Sequence, residues 1–164
     1  MIVIMCEIII RIEAATEQDL EQILQLQKKS FHSQALIYND FNLPPLVQTI
    51  EDLKEEFRLK AIYKVELGGN IIASIRCCIR DDTLYFEKLI VDPDFQNRGI
   101  GTKIMTDIET KYSSAVDRYA LFTGHKSVRN LHIYSKLGYK EISQETVSGY
   151  NLIYMEKINA KRAT

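Results

Sequence analysis

The segment Leu89–Thr102, LIVDPDFQNRGIGT, constrains this chain more than any other. An apolar run ends at Val91, and Asp92-Pro93-Asp94 turns the chain. Gln96-Asn97-Arg98-Gly99-Ile100-Gly101 then leads into apolar residues at helical spacing: Ile100, Ile104, Met105, Ile108 and Tyr112. The first N–H groups of a helix have no intrahelical acceptor and lie at the positive end of its dipole. A strand feeding a glycine-rich turn at a helix start is therefore an anion site, suited to phosphate. Gly99 and Gly101 let the main chain approach a bulky phosphate with no Cβ in the way. The spacing excludes two common phosphate loops. A Walker loop needs Gly-x4-Gly-Lys-Ser/Thr, and the dinucleotide fingerprint needs a third glycine where Ile104 stands.

Composition narrows the rest. A chain of 164 residues suits one domain, 1–164, with its core at about 8–158, and 46% hydrophobic residues can build that core. A net charge of −1 supplies no field to recruit nucleic acid or an anionic membrane. Three cysteines, Cys6, Cys77 and Cys78, give neither a disulfide framework nor a zinc spacing, and the adjacent pair points to opposite faces of a strand. A reducing cytoplasm is the simplest setting. The opening MIVIMCEIII lacks a basic leader, carries Glu7 and is too short to span a bilayer, so it reads as a strand with a short extension. No other segment reads as membrane-spanning. No pair of the histidines His32, His125 and His132 has ligand spacing, and no metal is expected.

Periodicity orders the elements. The expected strands are Ile8–Glu13, Ala61–Leu67, Ile71–Ile79, Thr83–Val91, Tyr119–Thr123, Tyr139–Thr146 and Tyr150–Lys157. The expected helices run from Thr16 to about Ser30, Leu46–Arg58, from Gly99 to Tyr112, and Ser127–Leu137 with Gly138 beyond its end. Phe31–Pro45 reads as irregular. Gly68-Gly69-Asn70 marks a hairpin. The order β-α-α-β-β-β-α-β-α-β-β predicts an α/β fold of the α+β kind, a mixed sheet covered by helices.

Gln96-x-x-Gly99-x-Gly101 after a strand ending Val-Asp-Pro resembles the pyrophosphate-binding motif of the GCN5-related N-acetyltransferases (GNAT), which use acetyl-coenzyme A. The stretch from Asn130 to Tyr139, NLHIYSKLGY, is similar to the same family's Asn…Tyr-x-Lys-x-Gly-Phe/Tyr signature. The element order also matches the family. The resemblance spans nearly the whole chain, is specific from about Glu87 to Tyr139 and is weak before Ala61.

The resemblance implies acetyl-CoA as cosubstrate, lying like an added strand beside the main chain of Leu89, Ile90 and Val91. Its pyrophosphate would meet the N–H groups from Gln96 through Asn97, Arg98, Gly99, Ile100 and Gly101 to Thr102. Thr123 would lie across the split between strands. Asn130 would hold the pantetheine or phosphate region, although much of the family has its asparagine where Ser127 stands here. Lys136 would reach a phosphate, or be solvated at a helix end.

Acetyl transfer to an amine needs three things. For a lysine-like amine, about one molecule in a thousand is neutral at pH 7.4, a cost of about 4 kcal/mol, so a base is useful. The carbonyl oxygen wants placed N–H donors, and the departing sulfur wants a proton or a hydrogen bond. By the resemblance Glu87 is the base, direct or through water, and Tyr134 serves the sulfur. Their plainer roles are a rim carboxylate beside a surface Lys88 and a core tyrosine. The expected reaction is direct attack, in a ternary complex, by a primary amine of a small-molecule or peptide acceptor. The alternative is a non-catalytic module that senses acetyl-CoA or joins a larger assembly. Asp40, Glu51 and Asp52 could draw a cationic amine or be a solvated helix start. His32 would lie in the loop shaping the acceptor pocket, His125 beside the cleft, and His132 on an exposed helix face. Dimerisation is common in the family, and the closing strands offer an edge.

Overall fold

The computed structural model describes residues 9–162. The chain runs β1 (Ile12–Ala14), a 3-10 turn (Glu17–Asp19), α1 (Leu20–Tyr38), α2 (Pro44–Val47), α3 (Ile50–Leu59), β2 (Ala61–Leu67), β3 (Asn70–Arg80) and β4 (Thr83–Val91). A second 3-10 turn (Pro93–Phe95) follows, then α4 (Ile100–Tyr112), β5 (Arg118–Gly124), α5 (Val128–Lys136), β6 (Lys140–Val147) and β7 (Tyr150–Ile158). The expected mixed α/β order holds.

Three elements differ from expectation by more than a residue at a boundary. The first strand is only Ile12–Ala14, and the part expected at Ile8, like Cys6, lies outside the described residues. The first helix does not stop at Ser30; the segment expected to be irregular continues it to Tyr38, placing His32 on a helix. No glycine or proline interrupts it, and it ends where Asn39 turns left-handed at φ 49°. The stripe faded beyond Leu26 because the buried positions there are Gln27 and Ala35, while Leu36 and Ile37 face solvent. The helix expected over Leu46–Arg58 is broken at Gln48, and Thr49 restarts it. Thr49 Oγ1 accepts from the Asp52 N–H at 3.2 Å, and Asp52 Oδ2 accepts from the Thr49 N–H at 3.0 Å. Asp52 is thus spent on a helix cap.

One seven-stranded sheet has the order β1-β2-β3-β4-β5-β7-β6. One face packs on α4 and α5 through Ile75, Cys77, Leu84, Phe86, Ile104 and Tyr134, among others. The opposite face packs on α1 and α3 through Leu20, Ile23, Leu53, Ile62 and Ile90. Cys77 and Cys78 are consecutive on β3 and so point to opposite faces; Cys77 is buried and Cys78 partly exposed near the strand end.

The pairing between β4 and β5 positions the site. It is parallel and joins only Thr83–Tyr85 to Arg118–Ala120. Beyond that fork β4 stays on β3 as far as Val91, and β5 stays on β7 as far as Gly124, so the sheet opens between them. Helix α1 crosses the opening. On the β4 side Lys29 Nζ donates to Asp92 at 3.0 Å and Ser30 Oγ to the Val91 carbonyl at 3.4 Å. On the β5 side the Tyr38 hydroxyl accepts from the Lys126 N–H at 2.9 Å, and Ser127 Oγ donates to Gln34 at 2.8 Å.

Gly124 is required by that crossing, because a Cβ there would lie 2.1 Å from the Tyr38 hydroxyl oxygen. Gly124→Ala is expected to lower stability by about 1–3 kcal/mol through overpacking. In a denaturant titration the double variant with Tyr38→Ala should be no less stable than Tyr38→Ala alone; additive losses would contradict the contact.

Candidate active site

The turn after β4 is built to present main-chain donors. Asp92 accepts from the Asp94 N–H at 2.9 Å, fixing the 3-10 turn. Asn97 and Gly99 are left-handed, at φ 61° and 77°, and Gly99 caps α4. The first intrahelical bond runs from the Lys103 N–H to the Gly99 carbonyl at 3.0 Å, leaving the N–H groups of Ile100, Gly101 and Thr102 without helical acceptors. A Cβ at Gly101 would meet Leu89 at 3.6 Å and Val91 at 3.9 Å, ordinary contact distances, so the packing of α4 on β4 does not itself demand a glycine there.

The side chains of the turn are partly occupied. Gln96 Nε2 donates to the Val91 carbonyl at 3.0 Å, and its Oε1 accepts from Arg129 on the first turn of α5. Arg98 folds back, donating to the Asp94 carbonyl at 3.3 Å with its guanidinium 5.4 Å from the centre of the Phe95 ring. The cation joined to the phosphate motif is therefore Arg129. Sequence reasoning missed it because nothing in the motif spacing reaches a residue 30 positions downstream of Gly99.

Main-chain groups of β4 line the opening. The ladder to β3 engages Glu87 with Arg76 and Ile90 with Ser74, and the Asp92 N–H donates to the Ile72 carbonyl at 2.8 Å. Strand alternation then turns the main chain of Leu89 and Val91 toward the opening. Ile90, expected beside the coenzyme with them, pairs with β3 and buries its side chain under α1 and α3. Thr123 stands across the opening on β5, three residues past the fork.

A bulge marks the point where β4 leaves β5. Lys88 and Leu89 together oppose Ile75, and Lys88 is left-handed at φ 49°. The bulge places two consecutive side chains on the α1/α3 face. Glu87 Oε2 accepts from Lys60 Nζ at 2.5 Å. Lys88, expected at the surface, is half-buried, with Nζ 3.1 Å from Glu56 and 3.3 Å from Gln48. Beneath them Arg76, 1% exposed, bonds Glu56, Gln27 and Gln48. Burial raises the Glu56 carboxyl, but the charges of Arg76 and Lys88 outweigh it and hold that carboxyl below its ordinary value. Burial, with the Arg76 charge, pushes the Lys88 ammonium down.

Tyr134 lies on the other face of the sheet. It is buried against Tyr139 at 6.1 Å between ring centroids, and burial pushes its hydroxyl up to about 12. No buried side-chain polar atom among the described residues lacks a partner, and no hydrogen bond there uses the Tyr134 hydroxyl, so that oxygen is not sealed in the core. Asn130 sits one turn earlier on the same helix, half-buried; Lys136 ends the helix in solvent. His125 follows β5 as expected, its Nδ1 3.1 Å from the Asn151 carbonyl and its ring 5.8 Å from that of Tyr38. Together with Asp40, Lys126 and Tyr150 these residues line a cleft of about 260 Å³. His132 is exposed on α5.

Because the folded-state value of Glu56 lies below its ordinary 4.5, its contribution is fully present above that pH and is lost as pH falls through the lower folded value. Glu56→Gln should cost about 1–3 kcal/mol at pH 7, since it leaves the Arg76 and Lys88 donors short of a charged acceptor. It should also flatten the loss of stability below pH 4.5, read as urea midpoints from pH 7 to pH 3. An acid limb as steep as that of the wild type would contradict the pairing.

A sequence profile of the acetyltransferase (GNAT) domain matches residues 58–141, just over half of the chain. No curated protein matches by sequence. Solved structures do match in fold. The ribosomal-protein-S18-alanine N-acetyltransferase from Escherichia coli aligns at 15% identity with a TM-score of 0.75, over 92% of this chain and 94% of that one. A PaiA N-acetyltransferase from Thermoplasma acidophilum, in complex with coenzyme A, aligns at 16% identity and 0.76, over 92% and 99%. A spermidine N-acetyltransferase chimera from Vibrio cholerae and hSSAT aligns at 16% and 0.71, over 93% and 96%. With unpaired N–H groups at a helix start beside an opened parallel strand pair, the chain belongs to the GCN5-related N-acetyltransferase family of acetyl-CoA-dependent enzymes.

Proposed function

We propose that this enzyme transfers the acetyl group of acetyl-CoA to a primary amine by direct attack in a ternary complex. The observation that carries this reading is the parallel ladder that stops at Tyr85 and Ala120. It leaves main-chain groups of Leu89 and Val91 facing an opening beside the free N–H groups of α4. The donor set fits the cosubstrate. Amides along an extended strand suit pantetheine, while the helix start, with Arg129 near it, suits pyrophosphate. Asn130, Thr123 and the Gln96–Thr102 turn are the residues proposed to hold it, with Lys136 at the outer end of α5.

Glu87 and Tyr134 lie on opposite faces of the sheet, so a thioester in the opening would have the amine on the α1/α3 side and the sulfur on the α5 side. Lys60 occupies one oxygen of Glu87, and a carboxylate offers lone pairs on the other to take a proton from the amine or an intervening water. Tyr134, at about 12, is a far weaker acid than a thiol of about 8.5. It therefore donates a hydrogen bond to the departing sulfur and does not hand over its proton. Asp40, Tyr38, His125 and Tyr150 lie at the open end on the α1 side, where the far end of a small-molecule or peptide acceptor would rest. The structural neighbours named for an alanine of ribosomal protein S18 and for spermidine carry acceptors of this chemical kind in their names.

Thiol release from acetyl-CoA over a panel of amines tests the reading; a binding protein without turnover would release no amine-dependent thiol. Tyr134→Phe should lower kcat by about 10- to 100-fold, the worth of a hydrogen bond to a charged group, with coenzyme affinity and Tm little changed. A collapsed fold would make it a core residue. Glu87→Gln should slow turnover most at low pH, the deficit closing as the amine deprotonates unaided. Equal rates at every pH would remove Glu87 from the role.

A further inference from the structure

Six non-glycine residues among those described have positive φ: Asn39, Asp81, Asp82, Lys88, Asn97 and Ser148. Five are short polar residues in turns, where this conformation is ordinary. Lys88 alone lies inside a strand and carries a long side chain. A left-handed residue with a Cβ is disfavoured by about 1–2 kcal/mol, so the surroundings must hold it.

The holding contacts are polar and come from four elements. Lys88 Nζ donates to Glu56 of α3 at 3.1 Å and to Gln48 at 3.3 Å. Glu56 is fixed in turn by Arg76 of β3 at 2.5 Å. Arg76 also bonds Gln48 and Gln27 of α1, and Gln27 Nε2 donates to Gln48 at 2.9 Å and to the Pro45 carbonyl at 2.7 Å. The mechanism above uses none of these groups, yet the network converges on the residue preceding Leu89, where β4 parts from β5.

We propose that Lys88 is a positioning residue: its anchored ammonium locks the bulge in the one shape that aims the Leu89 N–H into the opening as a donor to the thioester carbonyl. The inference rests on the acetyl-CoA reading and extends it. It makes the polarising donor depend on Gln27 of α1, Glu56 of α3 and Gln48 in the break before α3, so the segment that receives the amine also sets the geometry that activates the thioester.

Carbonyl-labelled [1-13C]acetyl-CoA, bound without any amine, reads this directly, since a hydrogen bond to the carbonyl oxygen moves the 13C resonance downfield. Wild-type protein should displace the resonance from its free position. Lys88→Met should bind the coenzyme with unchanged Kd but lose most of that displacement. Lys88→Gly, which takes the left-handed conformation without a Cβ, should keep most of it. A wild-type displacement in Lys88→Met would overturn the lock. So would an equal loss in Lys88→Gly, which would give the role to the ammonium itself, and so would loss of coenzyme binding in Lys88→Met. Failure of the wild type to bind acetyl-CoA would overturn the underlying reading instead.

Discussion

The constraint on which this structure depends is a parallel ladder that stops after three residue pairs. A strand in mid-sheet normally satisfies its main chain on both sides, and an unpaired N–H or C=O away from water is costly. Past Tyr85 the β5 side of β4 has no neighbouring strand among the described residues, and each arm is kept in place by its other partner, β3 or β7. Part of the exposed main chain is taken up locally: the Val91 carbonyl accepts from Gln96 and Ser30. What is left along β4 is an edge that an extended chain of amides can complete. The same opening gives access to the sheet from both faces, so that, under the proposed reaction, a base and a hydrogen-bond donor approach the thioester from opposite sides.

Holding such an opening against closure requires ties that are not part of the sheet. Helix α1 supplies one set by reaching from Lys29 and Ser30 at the β4 arm to Gln34 and Tyr38 at the β5 arm. The buried charge network supplies the other, at the fork itself. Arg76, Lys60 and Lys88 face Glu56 and Glu87, and the burial of so many charges is unfavourable unless each is paired. Their retention beside the bulge fits a demand for one fixed geometry better than a demand for stability. Glu109, the one carboxylate that is buried among the described residues, shows the contrast: it accepts from Tyr139 and Lys157 at 2.7 Å each and braces α4 against β7.

How much the sequence disclosed follows from the range of the interactions. The bounds of the β4–turn–α4 unit were legible to within a residue, because its strand, proline turn, glycine and amphipathic stripe are consecutive. The end of α5 was equally plain from Gly138, which is left-handed at φ 97°. The break at Gln48 had its sign in Thr49-x-x-Asp52, and the charged pair Glu87-Lys88 interrupting an apolar strand was the trace of the bulge. Both were read past, the first because the stripe from Leu46 to Phe57 continued across it. Arg129 on Gln96 and the circle Gln27–Arg76–Glu56–Lys88 join residues 20 to 49 positions apart. No periodicity or motif spacing registers such contacts; only the packing of α1 and α3 on the sheet brings them together.

The central claim, that the opening and the α4 start together form a coenzyme site, is tested most directly by calorimetric titration of the protein with acetyl-CoA, desulfo-coenzyme A and pantetheine. The account predicts one-to-one binding of acetyl-CoA on the order of micromolar, about −8 kcal/mol. Desulfo-coenzyme A should bind comparably, and pantetheine, lacking the phosphates, much more weakly. No heat with any of the three, or pantetheine binding as tightly as the coenzyme, would contradict it.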